Sequence, residues 1–263
     1  MRITAKRLSE LTQVPAANIR KWRERYHILD PERGDNGYLY YTSEDYRVLL
    51  SISRMLNGGM KLSTIMKQGR AALLEKAPSS DYSPEELAFL EQVIENNFMR
   101  LSHELDAVLR LHGVEYLVRK RIGPQAVLVG KAWEAGFITV GTEHAYSRWI
   151  MGYLSQLALR QNRKTSVERL FVAFPGDEHE LGSMMHYTIM CAAGQGGRFS
   201  GALSLDRLFE ELSQGDYDEV HISATMPRTR AEIDKLVHSI HRKFPRLKIK
   251  IGGSGARPEG QSV

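Results

Sequence analysis

A single cysteine, Cys191, stands in the 263 residues of this chain. One thiol excludes an intrachain disulfide and any thiolate metal cluster within one chain, and with them the disulfide-stapled secreted scaffolds. There is also no apolar run of about eighteen residues, the length a membrane helix needs. The opening MRITAKRLSELTQ is polar and periodic, not a charged lead before an apolar core, so neither a secretory signal nor a membrane anchor is expected. A G-x-G-x-x-G turn is missing after the first strand of the C-terminal region, which weakens a dinucleotide reading. What is left is a cytoplasmic globular protein, for which 42% hydrophobic and 25% charged residues is an ordinary balance.

Negative charge is scarce in one place only. Residues 1–78 carry 14 Lys/Arg against 8 Asp/Glu, a net of +6, whereas the remaining 185 residues carry 22 against 23, a net of −1. A basic head on a near-neutral body points to a polyanionic partner for the head.

The head reads as helix, turn, helix, wing and two further helices. ITAKRLSELTQV has apolar residues at helical spacing, Pro15 can open the next helix, and AANIRKWRERY carries it to about Tyr26. LDPERGDNGYLYYT gathers turn residues between aromatic and apolar positions, as a β-hairpin does. SEDYRVLLSISRMLNGG starts at a plausible cap, Ser43, and stops at Gly58 and Gly59, before a short helix in KLSTIMKQGRAALLEK. The run IRKWRERYHILDPERGDNGYLYY resembles the winged helix-turn-helix of the MerR family. That resemblance implies binding to double-stranded operator DNA. Arg20, Lys21, Arg23 and Arg25 put several cations on one helix able to enter a major groove, and Arg33 and Tyr38 in the wing can reach the backbone. Trp22 and Tyr26 on the same helix read equally well as core. Position 39 is Leu where that family usually has an arginine beside the wing tyrosine.

Residues 78–165 read as four helices with apolar stripes: SPEELAFLEQVIENNFMRLSHELDAVLRLHG and the stretches after it, with breaks at Gly113, Gly123-Pro124 and Gly136 to Gly141. Short connections predict a bundle. Residues 166–263 then alternate strand, helix, strand, helix, strand, from VERLFVAFP through DEVHISATM to LKIKIGG, the pattern of a doubly wound sheet. The fold class expected is therefore multidomain α and α/β: a winged helix-turn-helix over 1–77, a four-helix bundle over 78–165 and a Rossmann-like domain over 166–263.

Three pieces of the last region stand in register. Asp177, His179 and Gly182 form D-x-H-x-x-G in the loop after the first strand; Ser223 and Thr225 flank Ala224 at the end of a later one; Gly252 and Gly253 close the last. The order resembles the cobalamin-binding domain of corrinoid enzymes and regulators. It implies that His179 is the lower axial ligand of cobalt, with Asp177 accepting the other ring N–H, and that the serine, threonine and glycines line a slot for the nucleotide tail. His186, His221, His238 and His241 read as ordinary surface or helix histidines. Within the helical region, Trp133, nine intervening residues, Glu143 and His144 in WEAGFITVGTEH resemble the Trp-x9-Glu-His signature of the light-dependent CarH/LitR regulators. In that family the bundle caps the upper face of adenosylcobalamin, with the Trp over the adenosyl group and the Glu and His hydrogen-bonded to it. The residue after this Trp is a cobalt-ligating histidine in well-known CarH-type proteins once light has removed the adenosyl group; here it is Glu134, a poorer donor to cobalt than imidazole.

The resemblance as a whole implies a cobalamin-dependent, light-responsive repressor that is not an enzyme, uses adenosylcobalamin as chromophore, binds operator DNA and can form homo-oligomers that gather several heads on one site. No long dimerising coil follows the head, which favours occlusion over promoter distortion; activation stays open. Two alternatives remain at this point: a regulator of the same fold that senses another ligand or a protein partner, and a corrinoid-binding methyltransferase or mutase subunit.

Overall fold

The computed structural model describes residues 3–77, 82–163 and 166–256. The chain divides into two compact units, Met1–Leu101 with Pro124–Tyr146 and Ser102–Gly123 with Ser147–Val263. The helical stretch between head and sheet is thus shared between the units.

The first unit opens with β1 (Ile3–Thr4), α1 (Ala5–Thr12) and α2 (Ala16–Tyr26), followed by the wing strands β2 (Glu32–Arg33) and β3 (Leu39–Tyr41). The turn between α1 and α2 works because Gln13 takes the left-handed conformation and Pro15 stands just before α2. In the wing, Gly34 N donates to Tyr38 O at 2.8 Å, and Gly37 supplies the positive φ of 76° that the hairpin turn requires. The three strands pair antiparallel in the order β1-β3-β2. Next come α3 (Ser43–Asn57), α4 (Leu62–Met66) and α5 (Gly69–Glu75). The cap of α3 is Thr42 rather than Ser43, because Thr42 and Asp45 exchange the reciprocal bonds of a capping box. Asp45 is fully buried and also accepts from Asp30 N at 2.8 Å and Arg70 Nη1 at 2.6 Å. One carboxylate thereby ties wing entry, α3 and α5 together. KLSTIMKQGRAALLEK forms two helices, not one, split where Gly69 turns to φ +77°.

After it α6 (Pro84–Ile94) begins with a second capping box, Ser83 with Glu86. The single long helix expected from residue 83 onward is interrupted at Glu95–Asn97, where Asn96 has φ 54°, before α7 (Phe98–Tyr116). Gly113 breaks α7 as expected, with φ 78° and ψ 178°. Gly123-Pro124 breaks nothing: a π-helical turn, Leu117–Ile122, leads straight into α8 (Gly123–Glu134), and Gly123 itself is helical. The break at Gly136 is real and separates α8 from α9 (Val140–Gln161).

In the second unit a parallel sheet is built from β4 (Arg169–Ala173), α10 (Leu181–Ala192), β5 (Arg198–Gly201), α11 (Leu205–Gln214), β6 (Glu219–Ser223), α12 (Arg230–Lys243) and β7 (Lys248–Gly252). Strand β5 was not expected from sequence. The strand order is β5-β4-β6-β7. Leu170, Val172, Val220 and Ile222 pack with Leu208 and Leu212 of α11 and Leu236 and Ile240 of α12, while Phe171 faces His186 and Tyr187 of α10. Helices therefore cover both faces. The chain leaves β4 toward β5 on one side and later returns to β6 on the other, so the crevice for a ligand lies beyond the carboxyl ends of β4 and β6. Among the described residues no helix is long and apolar enough to cross a membrane.

Candidate functional site

The loop Phe174–Glu180 and the loop after β6 meet at that crevice, and one carboxylate joins them. Asp177 is 2% exposed. Its Oδ1 accepts from His179 N at 3.0 Å and lies 2.8 Å from His179 Nδ1; its Oδ2 accepts from Thr225 N at 3.0 Å and Met226 N at 3.1 Å. Burial would raise this carboxyl, but the bonds from Met226, His179 and Thr225 outweigh it and hold the pKa below the usual aspartate range. Ionised, Asp177 can only accept, so the proton of His179 sits on Nδ1. In the neutral ring Nε2 is then the lone-pair nitrogen, on a side chain that is 62% exposed.

Small side chains line the floor beside it. A Cβ added to Gly182, in the first turn of α10, would come within 3.1 Å of Thr225 Oγ1 and 3.4 Å of Ser223 Oγ. Gly253 has φ +104°, and a side chain there would strike the carbonyl of Ala224; at Gly252 a Cβ would meet open space. The structure thus brings Asp177, His179, Gly182, Ser223 and Thr225 together at one crevice, with Gly252 and Gly253 on the strand that pairs with β6. Gly255, not expected from sequence, is the tightest position, since a Cβ would collide with Met226 O. Glu180 was also missed: its Oε1 accepts from Ala202 N at 2.7 Å and anchors the histidine loop to the end of β5.

Trp133, Glu143 and His144 belong to the first unit. Trp133 is near the end of α8 and 47% exposed. Glu143 lies in the first turn of α9 and His144 follows it, with His144 Nε2 at 3.6 Å from Glu143 Oε2. Glu134, the last residue of α8, is exposed.

On the head, Arg20, Lys21, Arg25 and Arg33 are exposed and Tyr38 is 69% exposed. Trp22 is core at 5%. Arg23 is less exposed than its basic neighbours: its side chain is 24% exposed and bonds Glu24 at 2.8 Å, and its charge lies close enough to Tyr41 of the wing to act on that hydroxyl. Arg20 and Arg23 are three residues apart and so share one face of α2, the face near Tyr41 of the wing. Asn36 Nδ2 donates to Tyr40 Oη at 2.8 Å while its Oδ1 accepts Tyr38 N, fixing the wing tip that carries Tyr38.

His186 and His221 are neither ordinary nor superficial. His221, on β6, is 3% exposed; its Nδ1 meets His186 Nε2 at 2.9 Å, and its Nε2 meets Glu219 at 3.3 Å. Arg169 and Lys250 bond the same Glu219 oxygen at 3.1 and 3.0 Å. Among the described residues no cluster of three or more His, Cys, Asp or Glu is arranged to hold a metal ion by itself.

Residues 3–68 match the MerR HTH family of regulatory proteins. Over 267 aligned residues the chain is 26% identical to the HTH-type transcriptional repressor CarH of Myxococcus xanthus, spanning 95% of this chain and 88% of that one. Among solved structures, the monomethylamine corrinoid protein of Methanosarcina barkeri superposes with a TM-score of 0.51 at 16% identity, covering 65% of this chain and 85% of that chain. At that identity the likeness is one of fold. The N-terminal region is therefore a MerR-type helix-turn-helix domain, and the chain is a multidomain α and α/β homologue of a CarH transcriptional repressor.

Proposed function

We propose that the protein is a cytoplasmic, cobalamin-dependent transcriptional repressor and not an enzyme, with operator DNA bound by residues 1–77, the corrinoid held by residues 166–263, and residues 78–165 facing its upper side. The observation that carries the reading is the Asp177–His179 pair at the β4/β6 crevice: an exposed imidazole whose Nδ1 is already taken by a buried carboxylate has Nε2 ready for a metal held by something other than protein ligands. That is what a corrinoid, whose ring supplies its own equatorial donors, requires from a chain with no metal cluster of its own among the described residues. The groove of Gly182, Ser223 and Thr225, which a single added Cβ at Gly182 would narrow, fits a slender tail. His179 would hold cobalt from below, with Asp177 keeping its tautomer. Trp133, Glu143 and His144 would contact the adenosyl group if the ligand is adenosylcobalamin, whose cobalt–carbon bond is broken by light. Arg20, Lys21, Arg23, Arg25, Arg33 and Tyr38 would contact the duplex, giving binding that weakens steeply with salt. Oligomers that gather several heads would raise affinity further.

The test is to load purified protein with adenosylcobalamin in the dark and record its visible spectrum and DNA affinity before and after green light, beside a His179→Ala variant. A histidine-ligated spectrum lost in the variant supports the reading. Equal uptake and spectra in both proteins would remove His179 from it. Bound cofactor with no response to light would leave a cobalamin sensor in place of a photoreceptor.

A further inference from the structure

Within WEAGFITVGTEH, Phe137 is turned to the head and not to a ligand. Phe137 lies in the turn between α8 and α9, is 3% exposed, and is covered by the DNA-binding head. Tyr46 of α3, 1% exposed, donates its hydroxyl to the Phe137 carbonyl. The Tyr46 ring stands edge-on to Phe137, with centroids 5.7 Å apart, and Tyr82 closes another side at 5.4 Å. A second tie runs within the same unit from the head to α6: Arg7 Nη2 of α1 donates to Ile94 O, the last residue of α6, at 2.9 Å.

The turn has little slack. Phe137 N and Ile138 N both donate to Ala132 O, at 2.7 and 3.2 Å, and Ala132 directly precedes Trp133. On the far side Thr142 N donates to Thr139 Oγ1 at 3.1 Å, and Glu143 N to Thr139 O at 3.0 Å. Phe137 is thereby held between Trp133 and Glu143. On the head side Tyr46 follows Asp45, whose carboxylate ties wing entry, α3 and α5. A shift of Phe137 is resisted by the head as a whole. The contact also tends toward all or none, because a buried hydroxyl and a buried carbonyl that part company must each find a new partner.

Resting on the ligand reading given above, we propose that the Tyr46–Phe137 contact is the joint through which occupancy of the Trp133, Glu143 and His144 face sets the placement of the DNA-binding head. A ligand shifts the head only by interacting differently with the joined and released arrangements, and this joint lies on the covalent path between the ligand-facing residues. Tyr46 and Phe137 are positioning residues; neither is expected to touch DNA or corrinoid.

The full-length protein is compared as wild type, Tyr46→Phe and Phe137→Leu, each with and without adenosylcobalamin, in the dark. Wild type should change its DNA affinity on loading by about 5-fold or more. Both variants should keep wild-type cobalamin uptake and cobalamin-free DNA affinity while that ratio falls toward one. In the cobalamin-free protein, hydrogen exchange at the Phe137 and Ile138 amides should rise in Tyr46→Phe. Variants that keep the full ratio, or unchanged exchange at those amides, would overturn the joint while leaving the cobalamin-regulator reading standing. A wild type that takes up cobalamin with a ratio of one overturns the joint together with ligand control, and a wild type that takes up none overturns the proposed function itself.

Discussion

Replacing Asp177 by Asn probes the centre of the candidate site without changing its volume. The carboxylate divides its work: Oδ1 serves His179 N and Nδ1, Oδ2 serves Thr225 N and Met226 N. An amide has one acceptor oxygen, so whichever way it is turned two donors face an NH2 group instead. Each donor left without its acceptor costs about 1–3 kcal/mol when buried. Thr225 is only partly buried and Met226 is exposed, so water can serve one of the two. The expected destabilisation is then in the lower part of the range, about 2–4 kcal/mol for the pair. Urea unfolding followed by circular dichroism should show a lowered midpoint for the α/β unit. The loss should also be pH-dependent. Asp177 has its folded pKa below its unfolded one, so its contribution is fully present above the unfolded value and fades as pH falls through the folded one; wild type and variant should converge in strong acid. A variant whose midpoint matches wild type at neutral pH would mean that this carboxylate does not fasten the histidine loop to β6.

Arg20→Ala should weaken operator binding by about 1–3 kcal/mol if it reads a base, and Arg23→Ala, on the same face of α2, should do the same; a filter-binding comparison with a melting curve separates a lost DNA contact from a loosened head, and equal DNA affinity in wild type and variant would refute the assignment. Glu134→His should change the visible spectrum of the illuminated, cofactor-loaded protein toward bis-imidazole character; no change would place residue 134 away from cobalt. Burial, with the charges of His221, Arg119 and Lys250, pulls His186 down from 6.5 to about 4. The unfolded chain therefore binds the extra proton first, and stability of the α/β unit should fall as pH drops from about 6.5 to 4. His186→Phe should flatten that slope in pH-dependent urea titrations, and an unaltered slope would refute the assignment.

Much of this was written in local patterns. The bounds of α2, the wing turn, the break at Gly136 and the D-x-H-x-x-G loop all follow from residues acting on their immediate neighbours. What escaped depended on distant partners. Strand β5 is four residues, RFSG, at the edge of the sheet, too short and too polar to show a strand period. In EVHIS the apolar positions Val220 and Ile222 alternate with Glu219, His221 and Ser223, which reads as a strand with one wet face; all five are buried. The available signal was charge complementarity across parallel strands, Arg169 opposite Glu219 and Lys250 on the next strand within reach of the same carboxylate. Tyr46 and Phe137 are 91 residues apart, and nothing local in either stretch announces the other.

The buried charges beneath α10 bear on the site more than on stability. An apolar filling of the same volume is often as stable as an ion cluster, because removing charge from water offsets most of what pairing returns. Glu219 nevertheless stays ionised: burial would raise it, but bonds from Lys250, His221 and Arg169 bring it to about 2. Apolar contacts between α10 and the sheet would tolerate a small slide along the helix axis; the His186–His221 bond at 2.9 Å does not, since a slide leaves the buried His221 Nδ1 without its partner. Gly182 is four residues, about one turn, before His186 on the same helix, and its distance from Thr225 and Ser223 decides how wide the groove is. Asp177 fixes the loop from β6, Glu180 fixes it from β5, and the histidine pair fixes the helix that follows. With all three restraints made inside the protein, the His179 ring is ordered at its Nδ1 side before any ligand arrives, and less of the binding free energy is lost to ordering it.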